Sequence, residues 1–167
     1  MRVTPLRIAF TVALILAVLS FAGCSKDTDP VSLFESGDYE ESLSRFKQLA
    51  AAGDADAKNY LGVHYYVGAA VERDFLAAAH WFETAALEGH TGAQKNLGMM
   101  YFRGLGVEQD NRRAFGWLYH ARQSGNEDAQ KYLRQMQTKV TPNASVIAVE
   151  LISKQLAKKE ALINGPR

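Results

Sequence analysis

Comparing the chain with itself at an offset of 36 residues reveals the feature that most constrains its fold. Over one such span, 12 pairs of positions carry the same amino acid. The identical pairs are Ala57 and Ala93, Leu61 and Leu97, Gly62 and Gly98, Tyr65 and Tyr101, Gly68 and Gly104, Val71 and Val107, Glu72 and Glu108, Asp74 and Asp110, Ala78 and Ala114, Trp81 and Trp117, Ala85 and Ala121, and Gly89 and Gly125. A period of roughly 20 to 50 residues is typical of a solenoid or array. The repeat therefore predicts a stack of similar units.

The spacing inside each unit predicts two helices joined by a loop. Residues at helical spacing define one face of each helix, namely Ala57, Leu61 and Tyr65 for the first and Ala78, Trp81 and Ala85 for the second. Asp74 is placed to cap the second helix, since its carboxylate can accept a hydrogen bond from an unpaired backbone N–H. Gly89 is placed to end it, because glycine readily adopts a left-handed conformation. Each unit is thus predicted to be a helical hairpin.

Two glycines fall inside the predicted first helices, at Gly62 and Gly98. A glycine there costs about 1 kcal/mol relative to alanine. That cost is understandable if the partner helix passes close by, and we expect close helix packing at both positions.

The repeated pattern resembles the Sel-like repeat (SLR) family, whose units are tetratricopeptide-like. The second unit matches nearly completely, through Ala93, Leu97, Gly98, Tyr101, Gly104, Gly106, Val107, Asp110, Ala114, Trp117, Ala121 and Gly125. The resemblance implies an all-α fold, a right-handed α-solenoid of helical hairpins forming a tetratricopeptide-like superhelix that binds a partner protein. The first unit departs at Ala70, where the family has its second loop glycine. We therefore expect the first loop to follow a different backbone path.

Two partial units flank the full repeats, which span residues 55–90 and 91–126. Upstream, Asp38 and Gly53 fall in the same register as Asp74 and Gly89. Downstream, the start of another first helix repeats and then stops. The solenoid is predicted to cover residues 32–137.

A final helix is predicted to close the stack. Thr141 and Pro142 are typical of a helix start, with threonine as the cap and proline in the first turn. Because terminal units of a solenoid have no further neighbour to bury their faces, we expect residues 138–167 to form a capping helix and tail. Its apolar side is predicted to consist of Val146, Val149, Leu151, Ile152, Leu156 and Ile163.

The first 23 residues have the layout of a signal peptide. Arg2 and Arg7 precede an almost entirely apolar run at residues 8–22, which is shorter than the roughly 20 residues of a membrane-spanning helix. The segment Leu19-Ser20-Phe21-Ala22-Gly23, with small residues just before Cys24, resembles the lipobox of bacterial lipoproteins. We expect cleavage after residue 23, lipidation of Cys24 and a polar tether over residues 24–31.

The mature chain would face the periplasm. Ser25 stands where an aspartate would, by the same resemblance, retain the protein at the inner membrane, so we expect a lipid anchor in the outer membrane of the cell envelope. Removal of residues 1–23 leaves 17 basic and 18 acidic residues. This nearly neutral charge gives no electrostatic drive toward nucleic acid.

The sequence predicts no catalytic residues, no cofactor and no metal ligands. The four histidines, His64, His80, His90 and His120, do not recur at the repeat spacing, and none has a second ligand at metal-site spacing. Ser44 and Lys47 fit the Ser-x-x-Lys pattern of penicillin-recognising enzymes, but the supporting elements of that site are absent. A weak β-lactam hydrolase is therefore the alternative hypothesis from the enzyme class.

By resemblance, the first helices of the hairpins line a concave groove. The side chains expected there are Asn59, Val63, Tyr66, Lys95, Met99, Phe102, Arg103, Lys131 and Gln135. Tyr66 and Phe102 could equally belong to the core. Lys95, Met99 and Arg103 share one helix face, so the groove would present an adaptable apolar centre between two cations. We expect a protein or peptide partner with an acidic group, and hence an adaptor or scaffold, with an accessory subunit of polysaccharide export or secretion machinery as a further alternative.

Overall fold

A computed structural model describes residues 29–164. The predicted signal peptide, Cys24 and most of the predicted tether lie outside the described residues. Eight helices form the regular structure of the described part: α1 (Pro30–Ser36), α2 (Tyr39–Ala51), α3 (Ala55–Val67), α4 (Phe75–Leu87), α5 (Thr91–Arg103), α6 (Asn111–Gln123), α7 (Asp128–Met136) and α8 (Pro142–Asn164). None of these eight helices is long and apolar enough to cross a membrane.

Consecutive helices pack into hairpins, and the hairpins stack. Helix α3 packs against α4 and α5 against α6, while α4 also contacts α5 and α6 also contacts α7. A first cluster of buried residues runs through α4 to α8, and a second lies between α2 and α3. The prediction of an all-α solenoid of helical hairpins is confirmed.

Each first helix begins at a polar side chain that occupies the same register position. Asp54 accepts from the Ala57 N–H at 2.9 Å, and His90 accepts through Nδ1 from the Ala93 N–H at 2.9 Å. Asn126 accepts from the next equivalent N–H at 3.3 Å. All three satisfy an N–H that the helix itself leaves without a partner, so the start of each first helix is fixed by the same device.

The interior glycines lie where helices pass close to each other. A Cβ atom on Gly62 would stand 2.6 Å from the ring of Phe82, and one on Gly98 would stand 2.8 Å from Leu118 Cγ. Both distances are below van der Waals contact. The expectation of close packing at these glycines is confirmed.

The prediction that the first loop follows a different path is wrong. Ala70 adopts φ +57°, in the left-handed region that its equivalent Gly106 occupies at φ +66°. Matching hydrogen bonds close the two loops, from the Asp74 N–H to the Tyr65 carbonyl and from the Asp110 N–H to the Tyr101 carbonyl, both at 3.0 Å. The loop geometry therefore persists although the glycine does not, and the exposed position of Ala70 leaves room for its methyl group.

The solenoid begins slightly earlier than predicted. Asp29 caps α1 by accepting from the Ser32 N–H at 3.1 Å, and Pro30 occupies the first turn. The last residues assigned to the polar tether are thus helical, because an aspartate followed by proline is a favourable helix start.

Helix α8 packs on α6 as a terminal helix. The Thr141 hydroxyl accepts from the Ala144 N–H at 3.4 Å, at the helix start. Ala148 and Ile152 are buried against Gly116, where a Cβ atom would stand only 2.7 Å from Ala148 O. The buried side is narrower than predicted, since α8 meets α6 along one line of residues. Three of the residues expected on that side are exposed, namely Val146 at 67%, Leu151 at 44% and Ile163 at 62%.

Candidate partner-binding groove

A cavity of about 200 Å³ lies between α3, α5 and α7, on the side formed by the first helices of the hairpins. It is lined by Val63, Tyr66, Phe82, Lys95, Asn96, Met99, Met100, Arg103, Leu105 and Tyr132. We call these ten residues the groove. Its floor is mainly apolar and its polar groups are few, which is the usual composition of a ligand-binding site in proteins.

Helix α5 supplies the two cations of the groove. Lys95 and Arg103 lie two turns apart on the face that also carries Met99. The Lys95 ammonium is 4.0 Å from the carboxylate of Asp128, at the outer limit of an ion pair. Arg103 donates a hydrogen bond of 3.4 Å to the hydroxyl of Tyr66. Arg103 has no carboxylate partner within the described residues, and the long contact between Lys95 and the exposed Asp128 is weak, so both cations can bind an anion from outside.

The floor between the cations can adapt to the shape of an apolar side chain. Met99 and Met100 are unbranched and polarisable, and such side chains fill irregular spaces and repack readily. Phe82 and Leu105 add rigid apolar surface beside them. The groove thus combines one apolar compartment with positive charge at its edge.

Five of the nine residues predicted for the groove line this cavity. They are Val63, Tyr66, Lys95, Met99 and Arg103. Tyr66, which could have belonged to the core, lies at the groove and packs edge-on against Phe75 with ring centroids 5.4 Å apart. The role of these residues in binding stays a prediction.

The other four predicted residues lie outside the cavity lining. Asn59 instead accepts a hydrogen bond of 3.1 Å from Asn96, linking α3 to α5. The ring of Phe102 packs under the Lys139 ammonium, 4.8 Å from its centroid. Lys131 lines a separate surface depression, and Gln135 is exposed.

Sequence reasoning missed five lining residues: Phe82, Asn96, Met100, Leu105 and Tyr132. It considered outward-facing positions of the first helices, whereas Phe82 comes from a second helix and Leu105 from a loop. The signal for Phe82 was Gly62, because a glycine that admits a neighbouring helix also admits a side chain from that helix.

Three of the histidines make contacts that stabilise the fold. His64 is fully buried, and its Nδ1 lies 2.9 Å from the carbonyl oxygen of Ala69. Burial lowers the pKa of His64, the bond to Ala69 acts in the opposite direction, and the Lys47 charge adds to the lowering. His90 caps α5, and His120 contacts the Ser153 hydroxyl at 3.0 Å. Between residues 29 and 164, no group of three His, Cys, Asp or Glu side chains is arranged to hold a metal ion.

The Ser-x-x-Lys pattern lies on the exposed side of α2. Ser44 and Lys47 are both exposed, while Ser42, Leu43 and Phe46 form the buried face of the same helix. Neither residue lines the groove. Their position offers no enclosed pocket in which a serine nucleophile could act on a bound substrate.

The fold and the repeat together define an α-solenoid protein built from helical hairpins. The family model of the Sel1 repeat matches the chain twice, at residues 55–90 and 91–126. The chain therefore contains two Sel1 repeats, and the resemblance seen in its sequence is confirmed.

Two solved structures are similar to this chain. A Sel1 repeat protein from Oxalobacter formigenes is 38% identical, with a TM-score of 0.56, over 57% of this chain and 28% of that protein. A protective antigen of uropathogenic Escherichia coli strains with an SLR fold is 24% identical, with a TM-score of 0.67, over 86% of this chain and 34% of that protein. This chain thus spans about a third or less of either structure. Comparison with curated proteins gives no significant match.

Proposed function

We propose that this chain is a protein-binding adaptor that holds a peptide segment of a partner in the groove between α3, α5 and α7. Sel1 repeats generally mediate interactions between proteins. The observation that carries the proposal is the cavity of about 200 Å³, where an apolar floor lies beside Lys95 and Arg103.

The groove suits a peptide in which an acidic residue neighbours a large apolar residue. The apolar side chain would be removed from water against Phe82, Met99 and Met100, which favours binding by about 25 cal/mol for each Å² buried. The carboxylate would lie near Lys95 and Arg103 and form charge-assisted hydrogen bonds, which are stronger than neutral ones. Both contacts together select the peptide.

The specificity can be tested by panning a random peptide library against the full chain purified in mild detergent. We expect enriched peptides to pair Asp or Glu with a large apolar residue. The double variant Lys95→Glu/Arg103→Glu should bind them at least about tenfold more weakly, because it brings like charges together. Wild-type affinity should also fall as salt rises, since exposed charges are screened over about 8 to 10 Å.

Lys131→Glu is the matched control for this experiment. Lys131 occupies the same register position as Lys95, yet it lines a different depression. It should therefore bind the enriched peptides like the wild type. Equal binding by the wild type and the double variant, with unchanged helical content, would remove the two cations from the recognition surface.

The adaptor would be anchored to the outer membrane through a lipid on Cys24 and would face the periplasm. The sequence around Cys24 supports this part of the proposal. Cys24→Ala should remove acylation and release the protein into the soluble fraction, because no helix between residues 29 and 164 could span a membrane. A variant that still floats with membranes, while a Ser25→Ala control behaves like the wild type, would contradict lipid anchoring at this residue.

A further inference from the structure

A second cavity, of about 360 Å³, lies where the ends of α4 and α6 meet the C-terminal half of α8. It shares no residue with the groove. Gln94 lines it and is 2% exposed. The side-chain Nε2 of Gln94 donates to the carbonyl oxygen of Ala86 at 3.3 Å, whereas its Oε1 is buried and has no hydrogen-bond partner. Since buried polar atoms in native proteins are nearly always paired, this oxygen calls for a donor.

The preceding repeat shows what fills the equivalent space. Lys58 occupies the register position of Gln94, 36 residues earlier, and is also buried. Its ammonium donates to the carbonyl oxygen of Gly53 at 3.1 Å and to both carboxylate oxygens of Glu88 at 2.7 Å. This first repeat therefore holds a primary ammonium group between a loop carbonyl and a helix-end carboxylate.

The second repeat keeps the loop but lacks the ammonium. Gly89 replaces Gly53, Ser124 replaces Glu88, and the side chain of Gln94 is one bond shorter than that of lysine. Helix α8 brings Glu160 to the same cavity and so supplies a carboxylate from another direction. No ion pair of Glu160 is seen within residues 29–164, in contrast to Glu88, which is neutralised by Lys58.

Part of the cavity wall is apolar. Leu87 comes from α4, and Leu156 and Ile163 come from α8. A cavity of this volume exceeds the space of a single water molecule, whose share of liquid volume is about 30 Å³. An occupant that satisfies both the walls and the polar end must carry a hydrogen-bond donor with positive charge on an apolar stem.

We propose that this cavity binds a primary ammonium group on an apolar stem, with Gln94 Oε1 and Glu160 as its acceptors. The chemistry is shared by free alkylamines and by lysine side chains of a bound protein. This site is separate from the groove, so a negative result for ammonium binding would not contradict the proposed adaptor function.

The ligand chemistry can be tested on the ¹⁵N-labelled full chain in mild detergent. Butylammonium should bind saturably, shift the side-chain amide resonances of Gln94, and bind at least about tenfold more tightly than butanol, its neutral counterpart of equal length. A capped Gly-Lys-Gly peptide compared with capped Gly-norleucine-Gly distinguishes the sources. Tighter binding of the lysine peptide than of butylammonium would indicate a partner's side chain, and the reverse would indicate a small amine. Equal binding of charged and neutral probes, or no binding of either ammonium, would overturn the proposal.

A second test fills the cavity with a lysine side chain of the protein itself, by introducing the residues that the first repeat has at these positions. Gln94→Lys/Ser124→Glu recreates the pair of Lys58 and Glu88, so it should keep the fold and lose butylammonium binding at least about tenfold. Gln130→Lys, at the next equivalent position and outside the cavity, should bind like the wild type.

Glu160→Gln decides the outcome if the double variant loses helical content. Glu160 is exposed, so its substitution should preserve the fold and weaken butylammonium binding severalfold. Unchanged affinity in Glu160→Gln, or wild-type affinity in a folded Gln94→Lys/Ser124→Glu variant, would place the ammonium elsewhere.

Discussion

At the scale of single residues, His64 is the most confined ionisable group of the first hairpins. It is fully buried, and Nε2 lies 3.3 Å from the Ser42 hydroxyl, which itself donates to the Pro30 carbonyl at 2.8 Å. Its Nδ1 must donate to the Ala69 carbonyl, since a carbonyl oxygen can only accept. The neutral ring is therefore hydrogen-bonded to the loop after α3, while its unprotonated Nε2 only contacts the Ser42 oxygen, whose single hydrogen is directed at Pro30. The Phe34 ring packs edge-on against it, with ring centroids 4.9 Å apart.

The buried imidazole should make stability depend on pH. Burial holds the pKa of His64 below its ordinary value of 6.5, so the unfolded chain takes up the proton first. The stabilisation from the neutral ring is thus fully present above about pH 6.5 and is lost as the pH falls through the lowered folded-state pKa. We expect the free energy of unfolding in urea to decrease between pH 7.5 and 5.5, and His64→Gln to decrease less over that interval.

His80→Gln is the matched control, because His80 is exposed. It should keep the pH dependence of the wild type. An unchanged slope in His64→Gln would show that other groups cause the pH dependence.

Residues at equivalent register positions show how far the sequence predicts burial. Trp81 and Trp117 are equivalent, yet Trp117 is 2% exposed in the main core and Trp81 is only partly buried against the smaller cluster of α2 and α3. The repeat predicts which face of the helix each indole occupies. It does not predict how much a neighbour covers it, because α6, which carries Trp117, packs extensively against α7 and α8, whereas α4, which carries Trp81, touches α8 only marginally.

At the scale of structural elements, the two loops inside the hairpins differ in how strictly they need glycine. A Cβ atom on Gly106 would stand 2.0 Å from the carbonyl oxygen of Phe75, in the neighbouring hairpin. Ala70 carries its methyl group at an exposed position in the same backbone conformation. The requirement at Gly106 is therefore steric as well as conformational, whereas at Ala70 it is conformational alone.

Two substitutions separate these requirements. Gly106→Ala should lower the free energy of unfolding by more than about 2 kcal/mol, since a strained backbone alone costs about 1 to 3 kcal/mol. Ala70→Gly should change it by less than about 0.5 kcal/mol, because relief of strain offsets the greater entropy of the unfolded glycine. Urea denaturation of both variants measures the difference. A tolerated Gly106→Ala, or a strongly destabilised Ala70→Gly, would show that the loop rearranges.

For the terminal helix α8, the sequence predicted the start of the helix better than it predicted which residues are buried. Thr141 and Pro142 correctly indicated the start of α8, since capping depends on local sequence. The buried side of α8 was overestimated, because the width of an apolar stripe does not reveal how wide a surface its partner helix offers. Gly116 allows α6 and α8 to touch closely along one line, which leaves Leu151 exposed at its side.

At the scale of the whole molecule, the repeat determines the scaffold and the positions that vary within it determine the groove. Leu61 and Leu97 are identical and buried in equivalent places. Lys95 and Arg103 stand where the first unit has Asn59 and Val67, and these two differences give the groove its charge. The scaffold could be predicted because its packing repeats every 36 residues. The full lining could not, since it also depends on side chains that reach the cavity from α4 and from a loop.

The adaptor proposal is tested most directly by photo-crosslinking from the groove in living cells. A photoreactive amino acid at Met99 should yield discrete adducts with a partner protein, and these should disappear in the Lys95→Glu/Arg103→Glu background. The same amino acid at Leu76, an apolar side chain that is 70% exposed outside the groove, should not yield those adducts. Identical adducts from both positions, or adducts from Leu76 alone, would contradict the claim that the groove holds the partner.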